Sequence, residues 1–149
     1  MNQKNIMMKK QLKTSRSKSV LKPKEEAIHL QVAKYLKLQY PKVLFRTDFA
    51  AGLRMTIGQA VKQKKIQHSR AWPDLFIAHP SGGYHGLFLE LKRDVSEIVN
   101  KNGSLKKSDH LDEQRSIITH LNQIGYKSVF ACGFDHARSI IDEYLKNEK

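Results

Sequence analysis

Apolar residues along the chain change rhythm several times, and each change marks an element. In residues 24–39, Ile28, Val32, Tyr35 and Leu36 recur at the three- and four-residue spacing of an amphipathic helix. Pro23 stands where that helix would begin, and Pro41 ends it. "VLFRTDF", residues 43–49, predicts a strand. "MTIGQAVKQKKIQ", residues 55–67, predicts a second helix with a basic exposed side and a weak point at Gly58. "LFIAH" and "GLFLELK" are strands around "PSGGY", whose glycine pair suits positive φ. "DVSEIVNKNGSLKKSDH" is polar and reads as a loop. Asp109 is placed to cap a third helix that runs to about Gln123 and stops at Gly125. "KSVFAC" predicts a buried strand, and "DHARSIIDEYLK" an amphipathic C-terminal helix. The order of elements predicts an α/β fold: a mixed β-sheet flanked by helices, its late strand–helix–strand unit a right-handed parallel crossover.

Period-two alternation decides which side chains share a face. Leu87, Leu89 and Leu91 form one face of their strand and must be core. Phe88, Glu90 and Lys92 form the other, with Glu90 and Lys92 roughly 7 Å apart at strand rise. Pairing across the hairpin near His79 and Gly86 brings Asp74 opposite Glu90 or Leu91. Two carboxylates and an ammonium thus converge at one end of the sheet. Adjacent acids repel without a cation between them. Hard oxygen ligands, Asp74 and Glu90 with a backbone carbonyl such as that of Leu91, suit Mg²⁺ or Mn²⁺. A divalent cation there can polarise a phosphate and lower the pKa of a bound water. Lys92 can orient that water or stabilise transition-state charge. Each element alone has an ordinary explanation, a turn residue for Asp74 and a solvated pair for Glu90 and Lys92. Their juxtaposition in a basic chain favours the site.

Charge adds a partner. The 149 residues carry a formal net charge of +13, which points to a polyanion, nucleic acid before an acidic membrane surface. Residues 1–24 hold eight Lys or Arg and no acid. With few apolar residues, this segment reads as a flexible basic arm ahead of a domain spanning residues 25–149. Arg54, Lys62, Lys64, Lys65 and Arg70 form a second basic run just before Asp74. They are candidates for DNA backbone contact, or else a solvated helix face. The single cysteine, Cys132, leaves no internal disulfide and no zinc box, which fits a reducing cytosol. No segment has the length of a signal-peptide core or a membrane span.

"PD" at Pro73-Asp74, fifteen intervening residues and "ELK" at Glu90-Leu91-Lys92 resemble the PD-(D/E)XK nuclease superfamily. "SRAWPDLFIAHPSGGYHGLFLELKR", "HLDEQRSIITHLNQIGYKSVFACGFDHARSIIDEYL", "EEAIHLQVAKYLKLQYP" and "TDFAAGLRMTIGQAVKQKK" resemble its VRR-NUC group, especially small phage-type members. The resemblance covers residues 25–145. It implies a restriction-endonuclease-like fold, Mg²⁺- or Mn²⁺-dependent hydrolysis of phosphodiester bonds, DNA as partner, and the cytoplasm of a bacterium or phage-infected host. It also implies an acid in the first helix, in a pattern like E-x-x-I-Q. Glu25 holds that place, with His29 where Gln is usual and Glu26 as rival acid. Glu25 falls on the apolar stripe by spacing. It is either a site carboxylate in need of a partner or metal, or a helix-dipole acid in a frayed first turn. Gln114 matches a later-helix Gln of the group and shares the stripe of Leu111, Ile118 and Leu121. It is a satisfied structural amide or a site residue.

The remaining histidines, and His29 with them, show no metal-ligand spacing and read as ordinary surface or core residues. Trp72 is expected to pack against the first helix, with base stacking as the alternative, and Asp48 is a minor candidate acid. A metal-dependent endodeoxyribonuclease is the reading these features favour, either general or selective for Holliday junctions or flaps. A non-catalytic DNA-binding protein on the same scaffold is the rival, and a homodimer is one assembly left open.

Overall fold

In a computed structural model of the chain, residues 24–48 and 54–146 are described. The basic arm therefore lies outside the described residues, apart from Lys24. Four strands and four α-helices follow one another as α1 (Glu25–Gln39), β1 (Phe45–Thr47), α2 (Ile57–Ile66), β2 (Leu75–Ile77), β3 (Leu87–Lys92), α3 (Asp109–Gln123), β4 (Lys127–Cys132) and α4 (Phe134–Tyr144). They form one mixed sheet in the order β1-β2-β3-β4. β1/β2 and β2/β3 pair antiparallel, and β3/β4 pair parallel across α3.

The alternation in β3 divides the molecule into two layers. Leu87, Leu89 and Leu91 are fully buried with Leu75, Ile77 and Ala131 against Ile28, Val32 and Leu36 of α1 and Ala137 and Ile141 of α4. Burying an aliphatic side chain of this size stabilises by about 1.5–3 kcal/mol, so this layer dominates cohesion. Polar clasps tie it together. Tyr35 of α1 and Tyr40 just beyond its end both donate to Oδ1 of Asp142 in α4, at 2.5 and 2.6 Å. The Tyr144 hydroxyl donates to the carbonyl of His79, and Ser81 Oγ to that of Tyr144, each at 2.7 Å.

The opposite face carries Phe88 stacked on Phe76, with Tyr126 and Trp72 edge-on to Phe88. Gly86 admits this packing, since a Cβ there would stand 2.8 Å from the Phe76 ring and 2.9 Å from the Ile77 carbonyl. Helix α3 packs against β4. Near its end Asn122 accepts from the Ser128 amide and donates to the Ser128 carbonyl, both at 2.9 Å, which fixes the start of β4.

Local chemistry moves several boundaries. The cap of α3 is Ser108, whose hydroxyl accepts from the Leu111 amide, and Asp109 is the first helical residue. The turn "PSGGY" has positive φ at Gly82 and Gly83, as expected. The polar segment after β3 is more than a loop: Asp94 caps a 3-10 turn at Val95–Glu97, and Val99 bridges Leu105. The first strand is shorter than expected, Phe45–Thr47. Helix α2 starts in a capping box between Thr56 and Gln59 yet buries no residue; Ile57, Val61 and Ile66 are exposed along with its lysines. Its exposed side is therefore not confined to the basic residues.

Candidate functional site

At one end of the sheet, on the aromatic face, lies a cleft of about 770 Å³. Glu25 of α1, Asp74 just before β2, Glu90 and Lys92 of β3, and His110 and Gln114 of α3 all line it. The β2/β3 register pairs Leu75 with Leu89, which sets Asp74 beside Glu90. Asp74 is anchored by the chain it faces: the Leu91 amide donates to its Oδ2 at 2.8 Å. Leu91 thus meets the site through its N–H. Residue Glu90 receives two donors on one oxygen, Oε1. Lys92 Nζ stands 3.0 Å away, and Gln114 Nε2 makes a short hydrogen bond to the same atom. His110 Nε2 lies 3.1 Å from that Gln114 nitrogen.

Both carboxylates are buried, Asp74 at 8% and Glu90 at 3% exposure. Desolvation pushes both upward from the ordinary carboxylate range. For Asp74 the rise reaches about 6, against the pull of His29, the Leu91 amide and Lys92. For Glu90 it reaches about 8, because the charge of Asp74 adds to burial and Lys92 only partly offsets it. One ammonium does not balance this much buried acid. Together with Glu25 and the buried Gln114 Oε1, which has no hydrogen-bond partner among the described residues, the oxygen set fits a hard divalent cation.

Each candidate now has a place. Glu25, rather than Glu26, is the first-helix acid on the cleft, and it is exposed there. It stands at the rim and not on a buried stripe, because burial along α1 begins only at Ile28. Gln114 is buried at 4% exposure and bonded to Glu90. Asp48 lines the same cleft, and its amide donates to the Asp74 carbonyl at 2.7 Å. In the basic run, Lys64 and Arg70 line the cleft, whereas Arg54, Lys62 and Lys65 are not part of its lining. Arg70 is engaged by Glu113 of α3 through two hydrogen bonds of 2.9 and 3.1 Å. Trp72 packs edge-on against Phe88 and is 44% exposed, instead of serving as packing for α1.

Sequence spacing passed over His29. It is buried at 7% exposure, and its Nε2 lies 3.8 Å from Asp74 Oδ1. Glu25, His29 and Asp74 each offer a ligand atom, all within 4.8 Å of one another. The four-residue step from Glu25 to His29 puts both on one helix face, the signal from which His29 could have been found.

No family model matches the chain, and no curated protein matches it. A solved structure described as "VRR_NUC domain protein" is similar over 82% of this chain and 88% of that one, at 25% sequence identity and a TM-score of 0.57. With that likeness, the four-stranded mixed sheet and its flanking helices make this chain an α/β domain of nuclease-like fold.

Proposed function

We propose that the chain is a divalent-metal-dependent nuclease that hydrolyses phosphodiester bonds in DNA. The observation that carries this reading is the meeting of Asp74, Glu90 and Lys92 in one cleft, with both carboxylates buried. Isolated surface acids would be hydrated and their burial would serve no purpose; paired buried acids need a cation.

In this reading Asp74 and Glu90 hold the ion, with Glu25 completing the set from the rim. The chemistry supplied by bound Mg²⁺ or Mn²⁺ is Lewis-acid activation of a phosphate oxygen and of water. Gln114 and Lys92 fix the orientation of Glu90 through Oε1. Nζ of Lys92 directs its remaining N–H donors at the water or at the transition-state charge. Lys64 on the cleft wall attracts the DNA backbone, supported by the chain's net charge of +13. Arg70 contributes less charge than its type suggests, since Glu113 already pairs with it.

The test is cleavage of a panel of duplex, nicked, flap and four-way DNA by the purified full chain, with Mg²⁺, with Mn²⁺ and with chelator. Metal-dependent scission is expected, and the panel reports any branch selectivity. Binding to every substrate without scission under any metal would replace this reading with that of a DNA-binding scaffold.

A further inference from the structure

We propose that His29 is itself a metal ligand: its Nε2 joins Glu25 and Asp74, and the resulting mixed nitrogen and oxygen set selects Mn²⁺ over Mg²⁺. This rests on the metal-dependent reading above and specifies which ion the site takes. The starting observation is an imidazole without a job. His29 is over nine-tenths buried, and neither ring nitrogen has a hydrogen-bond partner among the described residues. Buried polar atoms are ordinarily bonded, so one left open calls for a partner that the described residues do not supply.

The facing carboxylate atom is Oδ1 of Asp74, and at 3.8 Å it is beyond hydrogen-bond reach. The other oxygen, Oδ2, is already held by the Leu91 amide. Nε2 and Oδ1 therefore face each other across a gap that neither closes. Two ligands each about 2.1 Å from a common ion stand roughly 3 Å apart when adjacent and about 4.2 Å when opposed. The observed gap falls between these limits. Glu25 brings a third ligand atom, with the three within 4.8 Å of one another, and its exposed carboxylate can close the remaining distance by rotation.

Donor chemistry then decides the ion. Mg²⁺ takes oxygen ligands and gives up water reluctantly. An imidazole nitrogen is an ordinary ligand for first-row transition ions. Among these, Mn²⁺ keeps the preference for carboxylate that Glu25 and Asp74 require.

The experiment titrates the full chain, stripped by chelator, with MnCl₂ and MgCl₂ in a calorimeter. The Mn²⁺-loaded protein is then measured by electron spin echo envelope modulation, with and without ¹⁵N-histidine. We expect a nitrogen coupling that changes with the histidine label. In His29→Gln the carboxylates remain, so Mn²⁺ should still bind, the nitrogen coupling should vanish, and the Mn²⁺-over-Mg²⁺ preference should drop by about tenfold or more, the scale of a single ligand-shell change. The control His68→Gln alters an exposed histidine that lines the cleft and touches none of the proposed ligands, and it should keep both the coupling and the preference. Mn²⁺ binding without nitrogen coupling in the wild type overturns ligation by His29 and leaves the carboxylate site standing. Loss of the coupling in the control does the same. Binding of Mg²⁺ without Mn²⁺ overturns the His29 assignment alone, and binding of neither ion overturns the metal-dependent reading with it. If His29→Gln does not fold, His29→Asn supplies the same comparison.

Discussion

Lys92 and Gln114, one from the sheet and one from α3, both donate to the same carboxylate oxygen, Oε1 of Glu90. Two donors on one atom leave the other oxygen of Glu90 for a ligand to use. In the proposed reaction Lys92 would both hold Glu90 and act on the reacting groups, and only the first of these is the 3.0 Å contact to Oε1.

Lys92→Ala should lower the cleavage rate by about a hundredfold to a thousandfold, the range for removing a donor aimed at transition-state charge. DNA affinity should hardly change, because one cation among many contributes little to phosphate binding. Single-turnover cleavage measured beside a binding isotherm separates the two. Wild-type rates in the variant would remove Lys92 from the site.

Gln114→Ala should act through Glu90. Loss of the orienting amide is expected to weaken metal affinity or activity by about 10- to 100-fold, as for other residues that hold a metal-binding side chain in place. Mn²⁺ titrations of the two proteins give the comparison. An unchanged affinity together with an unchanged rate would make the amide a packing element alone.

Asp74→Asn keeps the side-chain shape and removes one buried charge. The metal-free variant should melt at least as high as the metal-free wild type, since the repulsion with Glu90 is relieved. Added Mn²⁺ should raise the melting temperature of the wild type by ligand linkage and that of the variant much less. Cleavage should be lost. Equal metal shifts in both proteins would show that Asp74 is a turn residue and no ligand.

The pH dependence follows from the direction of the two carboxyl shifts. Asp74 and Glu90 hold their protons more tightly in the folded chain than in the unfolded one, with folded values of about 6 and about 8. Their contribution to stability is therefore fully present below the unfolded carboxylate range, near about pH 4, and is lost as pH rises through the folded values. Metal-free protein should lose stability between about pH 5 and 8 by this contribution, and saturating Mn²⁺ should flatten the trend. Denaturant melts across that window, with and without metal, measure it. A metal-free slope of the opposite sign in a wild type minus Asp74→Asn comparison would refute the assignment.

Removal of residues 1–24 should flatten the plot of log K against log [salt], by about 0.9 for every DNA phosphate that the segment neutralises. Those residues carry eight cations and no acid. Cleavage of bound substrate should persist, because the carboxylates and Lys92 lie elsewhere. An unchanged slope would assign the segment to some other task than DNA binding.

How far the molecule is readable from its sequence depends on the range of each interaction. Glu90 and Lys92 are legible because alternation along β3 is local, and Asp74 follows from a short hairpin. Helical spacing places Gln114, but its choice between structure and site needs Glu90 on another element. Helical spacing puts His29 on the face of Glu25, but its approach to Asp74 is a tertiary contact between α1 and the residue before β2. Arg70 reads as a free cation until Glu113, far along the chain, is brought against it. Ser108 and Asp109 are both good caps, and the choice between them is set by which hydroxyl or carboxylate reaches the Leu111 amide. Helix α2 is legible as a helix, but not as an unburied one.

That last helix has a consequence for time rather than space. A ten-residue helix in water is marginal without tertiary packing, and α2 has a cap at its start but no buried side chain to hold it down. Its amides should exchange with deuterium well ahead of those of β3 and α4, in a local opening that leaves the rest folded. Since Ala60, Gln63 and Lys64 line the cleft, that side of it should open ahead of β3. The floor, β3 with its fully buried Leu87, Leu89 and Leu91, should exchange later, so the carboxylates should keep their spacing while the entrance above them opens.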